Sequence, residues 1–422
     1  MTSTASNGRL PGHVTAIAVT FLVSCLGDGL AITALMLDFH DRATGGFGIA
    51  ALFAAMSVPA ILLAGLAGRL SDRYPARQVL APVGIALVAV CALMSLVHTV
   101  ALLVTLFAVL SALMAVATPV FVKAVLNASP GPLMSRAGAR ISMASSLGFL
   151  IGPAVGAVLM DAVGLRGVLL ADAATYLAVP IVALVVPAPS PPETEGASAG
   201  QKEGSGLLPG LRTLFQQAPV AQVVLIGAVL TFTLQVTNVV EVYLVRDAYG
   251  ATATVFGLVT MAWAGGQIIG SGAAGRRLSE RPTAPLATLM TVIVGSALVI
   301  IAFFDSLPGL FALTVVAGTA NGAFGVARQT AIGRAVAPAS RGSAAAAHAA
   351  LLNTATMVAL MSAGLVAAIA TPRTVYAIAG TIVLLGAIAV HLYGRTGDLQ
   401  AGGATPAVPA RADTPATARP TD

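Results

Sequence analysis

Asp28 lies between Gly27 and Gly29, inside an apolar run that extends from Val14 to Leu37. An ionised carboxylate is costly in hydrocarbon, so a residue placed there faces a cavity, finds a partner or takes up a proton. A second polar set, Thr231, Gln235, Asn238 and Glu241, interrupts another apolar run. At 100° per residue these four fall within an arc of about 120°, a polar stripe on one helix face. The chemistry on offer is proton exchange and the holding of a polar or cationic group, with Asp28 as the principal candidate. Two readings stand for Glu241: it titrates or binds solute with Asp28, or it pairs near the helix end with Arg246. Asn321 and Asn353 are further candidates for a cavity lining, with hydrogen bonding between helices as the alternative. Asp172 reads as a cap or pairing residue near the end of its span. No His, Ser or Cys constellation supports bond chemistry. The only cysteines, Cys25 and Cys91, sit in apolar segments, and no Gly-Lys pair exists to begin a phosphate-binding loop. Neither an enzyme, a metal site nor a cofactor is expected.

The elements that position these residues follow from composition. Apolar residues make up 57% of the 422-residue chain and charged residues only 9%, against roughly a quarter charged in soluble domains. The solvent is therefore largely hydrocarbon, and only helix satisfies the backbone there without water. Apolar runs of spanning length occur near 14–37, 46–68, 79–98, 100–122, 141–160 and 167–187. A second set lies near 219–245, 254–275, 284–304, 308–327, 344–369 and 373–393. The expected fold is an all-α membrane protein of twelve transmembrane helices. With both termini cytoplasmic, every Lys and Arg but Arg42, Arg166, Arg246 and Arg373 falls on the inner side. A missed span would invert all later loops and destroy that bias. The formal charge of +6 is spread in short clusters between spans, which does not suit a nucleic-acid partner.

Domain limits follow from the same reading: an N-terminal tail over 1–13, six helices over 14–187, a linker over 188–218, six more over 219–393, and a disordered tail over 394–422. The linker is rich in Pro, Gly, Ser and Glu, and Leu207 to Gln217 has the pattern of an amphipathic interfacial helix. The halves repeat. Phe47-Gly48-Ile49 matches Phe256-Gly257-Leu258, Leu70-Ser71-Asp72-Arg73 matches Leu278-Ser279-Glu280-Arg281, and Ser135-Arg136 matches Ser340-Arg341, at offsets of 209, 208 and 205. A duplicated six-span unit suits alternating access about a site at the repeat interface. The offset sets Asp28 against Thr237, beside the polar stripe of span seven.

Between spans two and three, Asp72 stands among Arg69, Arg73 and Arg77, a set able to latch helix ends together in one state and release them in another. An ordinary basic loop is the alternative, since exposed pairs contribute only about 0–1 kcal/mol. This segment resembles the loop signature of the major facilitator superfamily, G-x-x-x-D-[RK]-x-G-[RK]-[RK], with Gly68, Asp72, Arg73 and Arg77 on the motif. Pro75 replaces the family's Gly. Glu280 and Arg281 look like its degenerate second copy. In span five, Gly148, Gly152, Pro153 and Gly156 are similar to the family's antiporter signature, with Ala157 in place of its last Gly. On physics alone the same residues read as a close-packing face with a bend at Pro153.

The resemblance implies two six-helix bundles and a cavity lined by spans one and seven. It further implies a secondary transporter in the bacterial cytoplasmic membrane, exporting small amphipathic, drug- or natural-product-like compounds in exchange for protons, as a monomer. Span four lacks the arginine usual in the drug–proton antiporters, which moves the likeness toward the macrolide- and siderophore-efflux branch. An importer on the same fold is the alternative reading of direction. A sensor or assembly subunit that transports nothing is the alternative from another class.

Overall fold

Every long apolar run forms helix in the computed structural model, which describes residues 12–127, 129, 133–185, 207–216, 218–277, 283–336 and 341–401. The first half comprises α1 (Gly12–Asp41), α2 (Gly45–Arg73), α3 (Ala76–Met94), α4 (Val100–Asn127), α5 (Met134–Tyr176) and α6 (Ala178–Val185). A short helix, α7 (Leu207–Phe215), precedes the second half. That half contains α8 (Ala218–Tyr243), α9 (Ala253–Arg277), α10 (Thr283–Phe303), α11 (Leu307–Ala335), α12 (Arg341–Ile369) and α13 (Pro372–Ala401).

α5 carries two spans. Its 43 residues would make a rod of about 65 Å, twice the thickness of the hydrocarbon layer. Gly164 interrupts it with φ 67° and ψ 178°, a left-handed φ that glycine adopts without a Cβ clash. The chain doubles back there, because Gly152 on the first arm and Asp172 on the second approach neighbouring residues of α1, Gly29 and Gly27. Among the described residues, eleven apolar helical stretches are long enough to cross a membrane, and one of them, Arg136–Leu184, folds at Gly164 into two. The protein is a multi-pass membrane protein with twelve spans.

The packing repeats as the sequence does. α1 packs on the first arm of α5 as α8 packs on α12, and α2 on α4 as α9 on α11. Between halves, α5 meets α9 and α2 meets α12. These two seams exchange when the halves are exchanged, which is the mark of an approximate two-fold axis.

Some boundaries differ from those the sequence suggests. Span five begins at Met134 rather than near 141, and α13 runs to Ala401 rather than ending near 393. α11 continues two turns past 327, so Arg328 is a helix residue inside the bundle and not part of a loop. α7 forms where an amphipathic helix is expected, and its Leu214 is fully buried in a cluster with Val220, Val224, Ala344 and Ala347. Most of the linker, the end of the C-terminal tail, and Glu280 and Arg281 lie outside the described residues.

Candidate functional site

Two adjoining cavities lie between the halves. The larger, about 1000 Å³, is lined by the first arm of α5 and by α8, α9, α11 and α12. Gln235, Asn238 and Asn321 all line it, together with Thr231, Gln267 and Arg328. Asn238 Nδ2 donates to Gln235 Oε1 at 3.0 Å, so the polar stripe of α8 forms and faces this space. The smaller cavity, about 290 Å³, is mostly apolar, with Met36, Phe53, Phe256 and Leu310 in its wall. Glu241 and Tyr376 line it too. Phe149, Leu234, Asn238, Trp263 and Ala264 border both spaces and join them into one chamber. Trp263, the only tryptophan of the chain, is thus a cavity residue.

One end of the chamber is closed. His40 Nε2 meets Asp247 Oδ1 at 2.8 Å and Arg246 Nη2 meets Asp41 Oδ1 at 3.2 Å. Thr254 Oγ1 donates to Asp161 Oδ2 at 2.8 Å. Each contact ties the first half to the second at the end where α1 finishes, the distal end. Deeper in the same seam, a side chain at Gly257 would meet the carbonyl oxygen of Pro153 at 2.7 Å. The opposite end carries Arg69, Arg73, Arg77 and Arg334. There Lys123 Nζ donates to the carbonyl of Ser71 at 2.6 Å, and the Arg73 guanidinium lies over the Tyr74 ring at 5.9 Å. Gly68 has open space around it, and Arg77 sits in the first turn of α3.

Arg246 settles one alternative. It binds Asp41, and among the described residues the Glu241 carboxylate has neither a hydrogen bond nor an ion pair. The alternative Glu241–Arg246 pairing is not formed, because Glu241 is turned toward the smaller cavity and Arg246 toward the end of α1.

Asp28 is elsewhere than the repeat suggests. It lies outside the lining of both cavities and points into the first half, where the Tyr176 hydroxyl donates to its Oδ1. Asp172 is beside it, fully buried and within electrostatic range. Cys91 Sγ donates to Asp172 Oδ2 at 3.2 Å, and Thr175 Oγ1 to Asp172 Oδ1 at 3.2 Å. Asp172 is therefore a core partner of Asp28 rather than a helix cap near the membrane surface. Two membrane-embedded carboxylates lie within electrostatic range here, each with its own hydrogen-bond donors, and among the described residues no basic side chain contacts either. The flanking glycines explain the placement. Any side chain at Gly27 would collide with the Asp172 carboxylate and the Thr175 hydroxyl, while a Cβ at Gly29 would stand 2.9 Å from Gly152 Cα.

Gly148, Gly152 and Gly156 all face α1. A Cβ on them would approach Cys25 Cβ at 2.6 Å, Leu26 O at 2.8 Å and Leu30 Cα at 2.9 Å respectively. Pro153 lies between two partners, with its ring toward Gly29 and its carbonyl toward Gly257. Asn353 lies outside the lining of both cavities, although Leu352 beside it contributes to the larger.

Arg328 is the residue that sequence reasoning misplaced. Asn321 and Arg328 are seven apart and so share one face of α11. That spacing was the available signal once the helix was known to continue. No group of three His, Cys, Asp or Glu among the described residues could hold a metal ion.

Paired six-span halves around a solute-sized chamber, closed at one end, have the architecture of a carrier. The chain belongs to the Major Facilitator Superfamily, whose family model matches residues 17–245 and again 223–416. No curated protein matches the sequence significantly. Solved structures do. A bacterial homolog of the human lysosomal transporter Spinster, inward-facing and unoccupied, is 15% identical with a TM-score of 0.70, covering 91% of this chain and 96% of that one. The nucleoside transporter NupG is 16% identical with a TM-score of 0.71, covering 90% and 99%. A POT family transporter in complex with a thioalcohol-conjugated peptide is 11% identical with a TM-score of 0.71, covering 91% and 96%. The protein is a membrane transporter with the major facilitator fold.

Proposed function

We propose that this transporter exports small amphipathic compounds by proton antiport, with both termini cytoplasmic in a bacterial cytoplasmic membrane. In this reading the arginine-rich end is cytoplasmic and the closed distal end external. The chamber then faces inward, ready to collect cargo from the cytoplasm or inner leaflet. The observation that supports proton coupling is the Asp28–Asp172 arrangement, two membrane-embedded carboxylates within electrostatic range of each other with no counter-cation among the described residues. Such a pair is relieved by a shared proton, and loading or releasing that proton changes the charge of the first half. Tyr176 positions Asp28, and Gly27 and Gly29 let α1 close on both arms of α5 around it. Outward direction is supported by the likeness of Gly148, Gly152, Pro153 and Gly156 to the antiporter signature. An amphipathic cargo suits a chamber whose apolar part, with Glu241 and Tyr376, adjoins a polar part with Gln235, Asn238 and Asn321. Asp72, Arg73 and Arg77, with Glu280 and Arg281, would latch the cytoplasmic ends when the halves rock. The protein would work as a monomer, since each chain contains its own chamber.

The test is flux in everted membrane vesicles with an acidic interior, using fluorescent amphiphiles of positive, neutral and negative charge. At least one should accumulate, lose its accumulation to a protonophore, and lose its dependence on the pH gradient in Asp28→Asn. Protonophore-insensitive flux, or an unchanged pH profile in Asp28→Asn, sinks the proposal. Uptake confined to right-side-out vesicles makes the protein an importer.

A further inference from the structure

Among the described residues, the larger cavity contains one charged lining residue, Arg328. It sits about two turns inside the end of α11, against the α8 backbone at Gly227, where a Cβ would come 3.2 Å from its Cδ. The guanidinium lies over the Phe324 ring at 5.6 Å. Its Nε is buried and has no hydrogen-bond partner, and no carboxylate pairs with it among the described residues. A second donor shares this condition. His348 Nε2 on α12 is buried without a partner, one turn before cavity-lining Leu352 and within electrostatic range of Arg328.

Guanidinium keeps its charge at every accessible pH, so Arg328 cannot escape the cost of burial by losing a proton. A membrane-embedded arginine normally finds a carboxylate or a ring of carbonyls. Here the ring face offsets part of that cost, and the forked N–H edge has no carboxylate to meet. The amides that line the cavity with it, Gln267 on α9 and Asn321 and Gln329 on its own helix, can orient a polar ligand and supply no countercharge.

We infer that the cargo carries an anionic group, a carboxylate or another planar or tetrahedral oxyanion, which docks on Arg328 in the larger cavity. Its apolar body extends past Phe149 and Trp263 toward the smaller cavity. The inference rests on the chamber being the cargo site of the proposed function, and it requires neither proton coupling nor outward direction. The lone tryptophan makes binding observable, because Trp263 borders both cavities.

The experiment uses purified full-length protein and three probes with the same apolar body: 4-phenylbutyrate, 4-phenylbutyramide and 4-phenylbutylamine. Trp263 emission, excited at a wavelength the probes do not absorb, reports their affinities. The carboxylate should bind about tenfold or more tighter than the amide, as expected for hydrogen bonds to a charged group, and the amine weakest. Arg328→Gln should erase the difference between carboxylate and amide, while Arg328→Lys retains part of it. Melting curves confirm that each variant is folded; if Arg328→Gln is not, the wild-type ranking and Arg328→Lys still decide. Carboxylate binding no tighter than amide, no carboxylate binding at millimolar concentration, or a preference that survives Arg328→Gln each overturns the inference. A retained preference alongside absent proton-driven flux in vesicles would remove the antiport reading and leave the anion site standing.

Discussion

Replacing Gly152 by alanine tests whether the α1–α5 seam is as tight as its glycines imply. The new Cβ would lie 2.8 Å from Leu26 O and 2.9 Å from Gly29 Cα, roughly 0.6 Å inside ordinary contact. Both obstacles are backbone, so no rotamer change relieves them, and the two helices must separate or slide. Overpacking of this kind costs about 1–3 kcal/mol. Alanine simultaneously gains up to about 1 kcal/mol of helix propensity over glycine, which would mask part of the loss. Gly65 provides the correction: it lies within α2 with no atom within 4 Å of its would-be Cβ. The difference between Gly152→Ala and Gly65→Ala cancels propensity and isolates the steric term, about 1–3 kcal/mol. Scanning calorimetry of the two variants in the same micelles should place Gly152→Ala a few degrees lower. The side chains that hold Asp28 sit in this seam, so the same variant should also lose proton-dependent flux. Coincident melting curves would refute the close approach of α1 and α5.

The distal seal and the smaller cavity give two more tests. Asp41→Arg turns the Asp41–Arg246 pair, half exposed on the aspartate side, into a repulsion. Exposed pairs contribute up to about 1 kcal/mol, which is about a fivefold shift in a two-state population. Labelling of Thr33→Cys, in the smaller cavity, by a membrane-impermeant maleimide from the distal side should rise by that order. Adding Arg246→Asp should restore protection, and unchanged labelling in both variants removes the seal from the mechanism. Glu241→Gln should leave the melting temperature unchanged or higher, because an unpaired carboxylate against an apolar wall has no partner to lose. Transport should nonetheless fall. A clear loss of stability would mean that Glu241 has a structural partner.

The spans and some packing faces were legible in the chain, and the direction in which Asp28 points was not. Span number followed from run lengths and from the arginines, because a helix in hydrocarbon has no alternative and a miscount inverts every later loop. Packing of Gly148, Gly152 and Gly156 followed from their spacing of four. Asp28 shows where this kind of reading ends. The repeat offset of 209 pairs it with Thr237, yet an offset of 208, equally present in the sequence, pairs Thr33 with Glu241 and Met36 with Leu244. All four of those residues line the smaller cavity, but so do Ile32, Glu241, Met36 and Val245, which an offset of 209 pairs, so the lining does not single out one register. The offset of 208 pairs Asp28 with Val236, which is buried and outside both cavity linings. One residue of slip moves a side chain less than 2 Å along the axis but 100° around it. That suffices to carry a carboxylate from the chamber wall into the interior of its own bundle. Arg328 was hidden by the reverse error. Counting it with the inner-side loop arginines misplaced it, since α11 continues for two turns beyond the apolar run.

Together these two displacements separate roles that the sequence had merged. The carboxylates proposed to respond to protons lie behind the wall, inside one half, and the charge proposed to meet cargo lies in the other half, within the chamber. Under that proposal one route of coupling between them runs through the α1–α5 and α5–α9 seams. Gly152 and Pro153, adjacent in sequence, span both seams: Gly152 and the Pro153 ring meet α1, and the Pro153 carbonyl meets Gly257 of α9. Under that proposal, a change in how α1 packs around Asp28 would reach the opposite half through a single turn of α5.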